Sequence, residues 1–109
     1  MLKLTKRPEF TTTVDIHLPG EAVPETIVVT YRYLTRTEAA DFNRDHEADK
    51  VEDFLHELML GWSDVYNEDG SPVEYSHENL RRLLDVVPGA ALDLYRGFNN
   101  ELFGIRIKN

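Results

Sequence analysis

Two alternating segments near the start of the chain constrain its fold most strongly. In residues 11–18, TTTVDIHL, apolar Val14, Ile16 and Leu18 alternate with polar residues. Residues 26–34, TIVVTYRYL, alternate in the same way, and the segment between them, PGEAVPE, carries the proline and glycine typical of a turn. Period-two alternation with β-branched and aromatic residues is typical of strands. The pattern predicts an antiparallel β-hairpin over about residues 11–34.

Helical patterns follow the hairpin. The segment TRTE has the spacing of a capping box, and an apolar stripe with helical spacing runs through VEDFLHEL. Extended backwards, this stripe misses Phe42, so either one long helix has a polar middle or two helices break near NRDHEAD. We favour one helix over about 36–60, with an irregularity at 43–47 and Gly61 as its C-terminal cap.

Two more helices are predicted nearer the end of the sequence. Ser76 is a typical N-terminal cap, and the apolar residues after it predict a helix over about 77–86. Pro88 suits the first turn of a further helix over about 88–103. The closing segment, IRIKN, is expected to be exposed.

These elements together predict the fold class. Two strands alone are marginally stable in water, so helices must cover the apolar face of the hairpin. A length of 109 residues leaves room for one hydrophobic core. We therefore expect a single domain over residues 1–109 of the α+β class, in which an N-terminal antiparallel β-hairpin is followed by three or four α-helices packed on it.

Composition and charge argue against several functions. The chain has no cysteine, which rules out disulfides and thiolate chemistry, and no apolar run approaches the roughly 20 residues that span a bilayer. The formal net charge of −8 disfavours nucleic-acid binding, because phosphate contacts need a positive surface. The first ten residues lack the apolar core of a signal peptide. We expect no nucleic-acid or membrane partner, and a protein that stays in the compartment where it is made.

The acidic segment GWSDVYNEDGSPVEYS, residues 61–76, could be a metal loop, a carboxylate site or a turn. If Gly70 takes the sixth position of a calcium loop, valine and serine fall at the first and twelfth positions, which leaves calcium too few ligands. The adjacent glutamate and aspartate are expected at an exposed turn, where neither is desolvated enough for acid–base catalysis. We interpret the segment as a corner between helices in which Val65 and Val73 flank a miniature hairpin.

The histidines give only weak indications of chemistry. Glu52 and His56 lie four residues apart, with Asp49 one turn earlier, but the second histidine of an H-E-x-x-H zinc motif is missing. An exposed helix face with i,i+4 side-chain pairs explains this spacing better. The sequence also lacks a glycine-rich phosphate loop and a nucleophile elbow. We predict no metal, no cofactor and no enzymatic activity.

In its order of segments the chain resembles phage tail assembly chaperones. The matching features are a helix ending in FLHELMLGW, the corner and capped helix DVYNEDGSPVEYSHENLRRLLDVVP, the aromatic-rich helix ALDLYRGFNNELFG and the closing IRIKN. They cover roughly residues 50–109. Members of the family share a Gly-Trp-x-x-Val run, an acid-Gly-x-Pro-Val turn and a capped S-x-E-N-L-x-x-L-L helix, all of which stand in this sequence.

The resemblance implies a non-enzymatic role in the cytoplasm of the bacterial host of a phage or prophage. Proteins of this family bind the tape measure protein, a very long and largely helical chain, before the tail tube polymerises. They keep that chain soluble, help to recruit tail tube subunits and are absent from the finished virion. The resemblance therefore implies the tape measure protein and the tail tube protein as partners, and a homo-oligomer is expected.

Aromatic residues are the candidates for partner contacts. A lone tryptophan is usually a large core element, so Trp62 is expected mainly to fill the junction between helix and corner. Phe98 and Phe103 cannot both face the apolar stripe of the last helix, so one of them is expected to be exposed. The edge of the hairpin could pair with a second copy. The candidates are Phe42, Trp62, Tyr66, Phe98 and Phe103.

A small acidic inhibitor or antitoxin-like protein that masks a basic surface is the alternative. Such a protein would need carboxylates arrayed on one face, whereas the acidic residues here are dispersed along the chain. A tight one-to-one complex with a basic protein would favour this alternative. Concentration-dependent oligomers and binding to a long helical protein would favour the chaperone.

Overall fold

A sheet of three antiparallel strands forms the base of the fold, which a computed structural model describes for residues 1–105. The strands are β1 (Glu9–Ile16), β2 (Glu25–Arg32) and β3 (Met59–Ser63), in the order β1-β2-β3. The helices are α1 (Arg36–Asp45), α2 (Val51–Leu58), α3 (His77–Val86) and α4 (Ala90–Leu102). The predicted α+β class is confirmed, with four helices after the hairpin. Of the closing IRIKN, Ile105 is exposed, and residues 106–109 lie outside the described residues.

The N-terminal hairpin is confirmed, and its register follows the alternation in the sequence. Phe10 lies opposite Tyr31, and Val14 lies opposite Ile27. These paired residues face the helices, whereas Thr11 and Thr13 face away, and the hydroxyl groups of Thr11 and Thr30 are hydrogen-bonded at 2.9 Å. One face of the sheet is therefore apolar and covered, and the other is polar.

The single helix predicted over about 36–60 is wrong. α1 ends at Asp45, and residues 46–50 form a turn in which His46 Nδ1 and Asp49 Oδ2 are 2.7 Å apart. The alternative, two helices that break near NRDHEAD, is confirmed. Because the break reorients α1, the ring of Phe42 packs edge-on against Phe54 of α2, with 5.0 Å between centroids. Two short helices thereby bury apolar side chains that one straight helix would separate.

The residues predicted to end that helix form β3 instead, so Gly61 is not a helix cap. Gly61 lies opposite Thr30 and Trp62 opposite Val29 in an antiparallel pair. Without β3, the backbone N–H and C=O groups of β2 would be left unpaired beside the core, which is costly. Met59 continues the apolar stripe of α2 and is 2% exposed, which explains why the sequence pattern extends the helix too far.

The two N-terminal helix caps predicted from the sequence, at TRTE and at Ser76, are confirmed. Thr35 Oγ1 accepts a hydrogen bond from Glu38 N at 3.1 Å, and Glu38 Oε1 accepts one from Thr35 N at 2.9 Å. These two bonds complete the capping box of α1. Ser76 Oγ accepts a hydrogen bond from Asn79 N at 3.0 Å and caps α3. Both caps satisfy backbone donors that the first helical turn leaves without partners.

The core lies between the apolar face of the sheet and the helices. α4 packs against β1, and Gly97 allows the close approach, because a Cβ atom there would lie 2.7 Å from Val14 Cγ2. Tyr31 Oη donates to Leu94 O at 2.8 Å and joins β2 to the same helix. The largest fully buried side chains are Tyr31, Leu55, Leu58, Leu80, Leu94 and Val29.

Candidate protein-interaction surfaces

The acidic corner is a hydrogen-bonded turn. Val73 N donates to Val65 O at 2.8 Å, which confirms the miniature hairpin, and Gly70 closes the turn with a positive φ of 88°. Asp69 accepts hydrogen bonds from the Ser71 backbone N at 2.9 Å and from its hydroxyl group at 2.6 Å. These bonds to Ser71 lower the pKa of Asp69, so its carboxylate is used to hold the turn.

Each of the four histidines has a hydrogen-bonding partner. In the three histidine–acid pairs, an imidazole nitrogen lies within 3.1 Å of a carboxylate, and His56 and His77 also stack with 4.2 Å between ring centroids. Across residues 1–105, no group of three or more histidine and acidic side chains is arranged to hold a metal ion. The pairs are His17 with Asp93, His46 with Asp49, His56 with Tyr75 and His77 with Asp53.

Two of the aromatic candidates are buried. Phe42 is 9% exposed and packs between His46 and Phe54, and Phe98 is 3% exposed beneath the sheet, where it contacts Tyr31. A partner cannot reach either ring without rearranging the core. Phe42 lies off the stripe of a single long helix, but the break after α1 brings it inward.

The other three aromatic candidates reach solvent to different degrees. Trp62 is half-buried, and its Nε1 donates to Val73 O at 2.7 Å, so that the ring joins β3 to the corner. Tyr66 is 59% exposed and Phe103 is 51% exposed. One ring of the Phe98 and Phe103 pair is therefore exposed, as the helical stripe predicts.

An apolar groove lies between α2 and α4 and has a volume of about 370 Å³. Val51 and Leu92, at 48% and 51% exposed, stand on its two sides, and Tyr95 packs edge-on against Phe54 within it. Among residues 1–105, no charged residue lines it. We call this surface the α2–α4 groove, and its lining residues are Val51, Phe54, Leu55, Ala91, Leu92 and Tyr95.

A second groove of about 250 Å³ lies at the tip of the hairpin, between the corner and α3. Its floor is apolar, and the two charged residues that line it within the described part of the chain, Glu25 and Asp64, are acidic. Arg82 lies in the neighbouring depression, where it donates to Asn67 Oδ1 at 2.6 Å. We call this surface the tip groove, and the lining residues used below are Leu18, Glu25, Asp64, Val65, Tyr66 and Leu83.

Residues 1–7 form an N-terminal arm outside the helices and strands. Met1, Leu2 and Leu4 are 113%, 87% and 98% exposed, so the arm presents its apolar side chains to solvent. Lys6 Nζ and Glu38 Oε1 form an ion pair of 2.8 Å that ties the base of the arm to α1. This ion pair, with the hydrogen bond from Thr35 N, lowers the pKa of Glu38 to about 2.

Sequence reasoning did not identify Val51, Leu92 or the N-terminal arm. Val51 belongs to the apolar stripe of α2, which predicts a core position, while Leu92 is an extra apolar residue beside the stripe of α4. That extra residue was the available signal, because it widens the apolar face of the helix beyond what one packing contact covers. In the arm, Leu2 and Leu4 are interrupted by Lys3, a pattern too short to indicate a surface by itself.

Comparison with known protein families gives a match to the whole sequence. A family model described as phage tail assembly chaperone matches residues 1–109, which is the whole sequence. No curated protein and no solved structure matches the chain. In the part of the chain that the structure describes, no helix combines the length and the apolar character needed to cross a bilayer.

Proposed function

The chain belongs to the phage tail assembly chaperone family, and from this premise we propose that it binds the tape measure protein through the α2–α4 groove. Membership of the family implies phage tail proteins as partners. It also favours a chaperone over an inhibitor that masks a basic surface. A long helix that exposes an apolar stripe before assembly is prone to aggregation, and we propose the tape measure protein as the tail component that fits this description.

The observation that carries the proposal is the wholly apolar lining of the α2–α4 groove. An amphipathic helix binds a groove of this kind by laying its apolar face into it, with anchors at helical spacing. A groove lined by acidic side chains would select a basic segment instead. The α2–α4 groove therefore suits the apolar stripe of a helix better than it suits a charged surface.

The expected affinity of a single contact is low. Full burial of a side chain such as leucine or valine contributes roughly 1.5–3 kcal/mol, so covering the exposed halves of Val51 and Leu92 contributes about 1 kcal/mol each. Avidity among copies on one long partner makes such contacts sufficient. The same weakness allows tail tube protein to displace the copies later.

The net charge of −8 supports the solubilising part of the role. Each bound copy adds negative charge to a partner that would otherwise expose apolar surface, and complexes of like charge repel one another. We also propose that the chaperone acts in the host cytoplasm without catalysis, helps to recruit tail tube subunits and is absent from the finished virion. Mass spectrometry of purified virions tests the last point, since the chain should be missing from them.

The test is co-expression with a tape measure fragment from the same phage genome. Leu92→Asp and Val51→Asp place a carboxylate in the α2–α4 groove and should abolish co-purification of the fragment, which should then aggregate. Val23→Asp is the matched control, because Val23 is 77% exposed in the hairpin loop, outside this groove. Circular dichroism should show that all three variants are folded.

The proposal fails if the fragment co-purifies equally with Leu92→Asp, Val51→Asp and the wild type. It also fails if the wild type leaves the fragment insoluble and instead forms a tight one-to-one complex with a basic protein. Loss of the fragment from Val23→Asp as well would show that added charge, rather than the groove, decides binding.

A further inference from the structure

The N-terminal arm and the tip groove lie at opposite ends of β1. The arm precedes Glu9, where β1 begins, while Leu18 of the tip groove follows Ile16, where β1 ends. An eight-residue strand is about 26 Å long, and the seven residue steps from Glu9 back to Leu2 reach at most about 25 Å when fully extended. The arm therefore cannot seat its leucines in the tip groove of its own chain.

Two contacts fix the direction of the arm further. The ion pair between Lys6 and Glu38 holds its base beside α1, and Tyr33 N donates to Pro8 O at 3.1 Å. Both contacts keep the arm at the end of the sheet where β1 begins. The tip groove is thus accessible to the arm of another molecule, and not to its own.

The chemistry of the two surfaces is complementary. The arm has three basic residues, Lys3, Lys6 and Arg7, and no acidic residue. The remaining nine basic and twenty acidic residues give the rest of the chain a formal charge of −11. Both charged residues that line the tip groove are carboxylates, so the groove attracts the arm electrostatically.

The apolar parts also match. In an extended segment, Leu2 and Leu4 point to one side while Lys3 points to the other. The floor of the tip groove offers Leu18, Val65 and Leu83, with the exposed ring of Tyr66 at its side. Two leucines that are almost fully exposed in the arm would be buried there, which is the main favourable term in association.

We propose that the N-terminal arm of one copy binds the tip groove of a second copy, so that the chains associate head to tail. Because donor and acceptor lie at different ends of the molecule, the contact is heterologous and does not close on itself in a dimer. Association continues to short strings or a ring. This inference is independent of the α2–α4 groove and of the tape measure protein.

The first experiment measures sedimentation of the full chain over a range of concentrations. The wild type should form species larger than a dimer, and raising the salt concentration should weaken their association, because the arm and the groove attract through exposed charges. Leu2→Asp with Leu4→Asp, and separately Tyr66→Lys, should each weaken association at least tenfold. The side chains of Leu2, Leu4 and Tyr66 are mostly exposed, so thermal unfolding should show all variants folded.

Mixing the two variants gives the sharper result. The arm variant keeps a working tip groove and Tyr66→Lys keeps a working arm, so together they should form a one-to-one dimer and nothing larger. Leu92→Asp is the control, since it should associate like the wild type while losing the tape measure fragment. Its behaviour separates failure of this inference from failure of the proposed function.

Three results would overturn the inference. The first is a wild type that stays monomeric at all concentrations, and the second is association that neither variant weakens. The third is a wild type that stops at a dimer, because this would indicate a symmetric interface instead of the head-to-tail contact.

Discussion

Tyr31 joins the sheet to α4 through both its ring and its hydroxyl group. The ring lies 5.5 Å from that of Phe10 and 5.3 Å from that of Phe98, measured between centroids. The hydroxyl group donates to Leu94 O at 2.8 Å, and burial raises the pKa of Tyr31 above its ordinary value of 10.0. The alternation in TIVVTYRYL predicts the apolar face, but no local pattern indicates a hydrogen bond across 63 residues.

Tyr31→Phe should destabilise the protein modestly at neutral pH. The substitution removes one buried hydrogen bond, worth about 0.5–1.5 kcal/mol, while Leu94 O keeps its bond within α4. Urea unfolding at pH 8 should therefore show a lower midpoint for the variant.

The same substitution should make the protein less sensitive to alkali. The pKa of Tyr31 is higher in the folded state than in the unfolded state, so folding favours the protonated hydroxyl group. Its contribution to stability is therefore complete below about pH 10 and is lost as the pH rises further. The loss is up to about 1.4 kcal/mol per pH unit for one proton. Between pH 8 and pH 11 the wild type should lose more stability than Tyr31→Phe, whereas equal losses would contradict the assigned cause.

At the scale of elements, the junction between α1 and α2 shows where sequence patterns stop being sufficient. A continuous helix and a broken one share the apolar stripe from Val51 to Leu58 and differ in the place of Phe42, and one off-stripe residue does not decide between them. Tertiary contacts favour the broken helix, since the turn brings Phe42 against Phe54. Tertiary contacts also explain β3, because this strand forms by pairing with β2.

Gly97→Ala should destabilise the packing of α4 on β1. The new methyl group would lie 2.7 Å from Cγ2 of Val14, whose buried, β-branched side chain has little freedom to move. Overpacking of this kind lowers the stability by about 1–3 kcal/mol. Alanine recovers roughly 1 kcal/mol of helix propensity, so we expect a net loss of about 1 kcal/mol in denaturant unfolding.

A double-mutant cycle identifies the contact. Adding Val14→Ala removes the γ-carbons that the new methyl group meets, so the double variant should be more stable than the sum of the single effects implies. Asn100→Ala on the same helix is the control, since it should raise stability by a few tenths of a kcal/mol. If the effects of Gly97→Ala and Val14→Ala on stability are additive, the new methyl group does not clash with Val14.

Glu38→Gln should remove an acid-sensitive part of the stability of α1. The hydrogen bond from Lys6 and the bond from Thr35 N lower the pKa of Glu38 from 4.5 to about 2. Because the pKa is lower in the folded state, the contribution of the Glu38 carboxylate to stability is present above about pH 4.5 and is lost as the pH falls towards 2. The wild type should be slightly more stable than the variant at pH 7, and the difference should shrink towards pH 2.

Lys6→Gln supplies the control for this effect. Without its cationic partner, Glu38 should contribute less to the free energy of unfolding. Glu38→Gln should therefore lower the stability less in the Lys6→Gln background than in the wild type. A difference between wild type and Glu38→Gln that stays constant from pH 7 to pH 2 would contradict the assignment.

At the scale of the whole molecule, the sequence predicts the architecture better than the surfaces. The hairpin, the caps of α1 and α3 and the corner depend on local chemistry, and all are confirmed. The α2–α4 groove and the tip groove depend on which residues distant elements leave uncovered. Among the predicted contact residues, Tyr66 and Phe103 are exposed and Phe42 and Phe98 are buried, because exposure is decided by packing.

If the chain binds a tape measure helix as proposed, the dimensions of the molecule limit the number of copies that one helix can hold. The chain measures 45 × 33 × 23 Å along its principal axes, and a helix rises 1.5 Å per residue. One copy laid along a helix therefore covers about 15–30 residues, depending on its orientation. If the α2–α4 groove binds the helix as proposed, the number of bound copies should grow linearly with helix length.

Tape measure fragments of about 60, 120 and 180 residues test this expectation, at roughly one copy per 15–30 residues. Light scattering of the purified complexes should give masses that rise by a constant number of copies for each 60-residue step. Leu2→Asp with Leu4→Asp should keep the slope at saturation but require more protein to reach it, because the proposed head-to-tail contacts would add avidity without adding sites. A copy number that stays the same for all three fragments would show that the chaperone recognises one local segment, and the groove would then be a specific docking site instead of a cover for the whole chain.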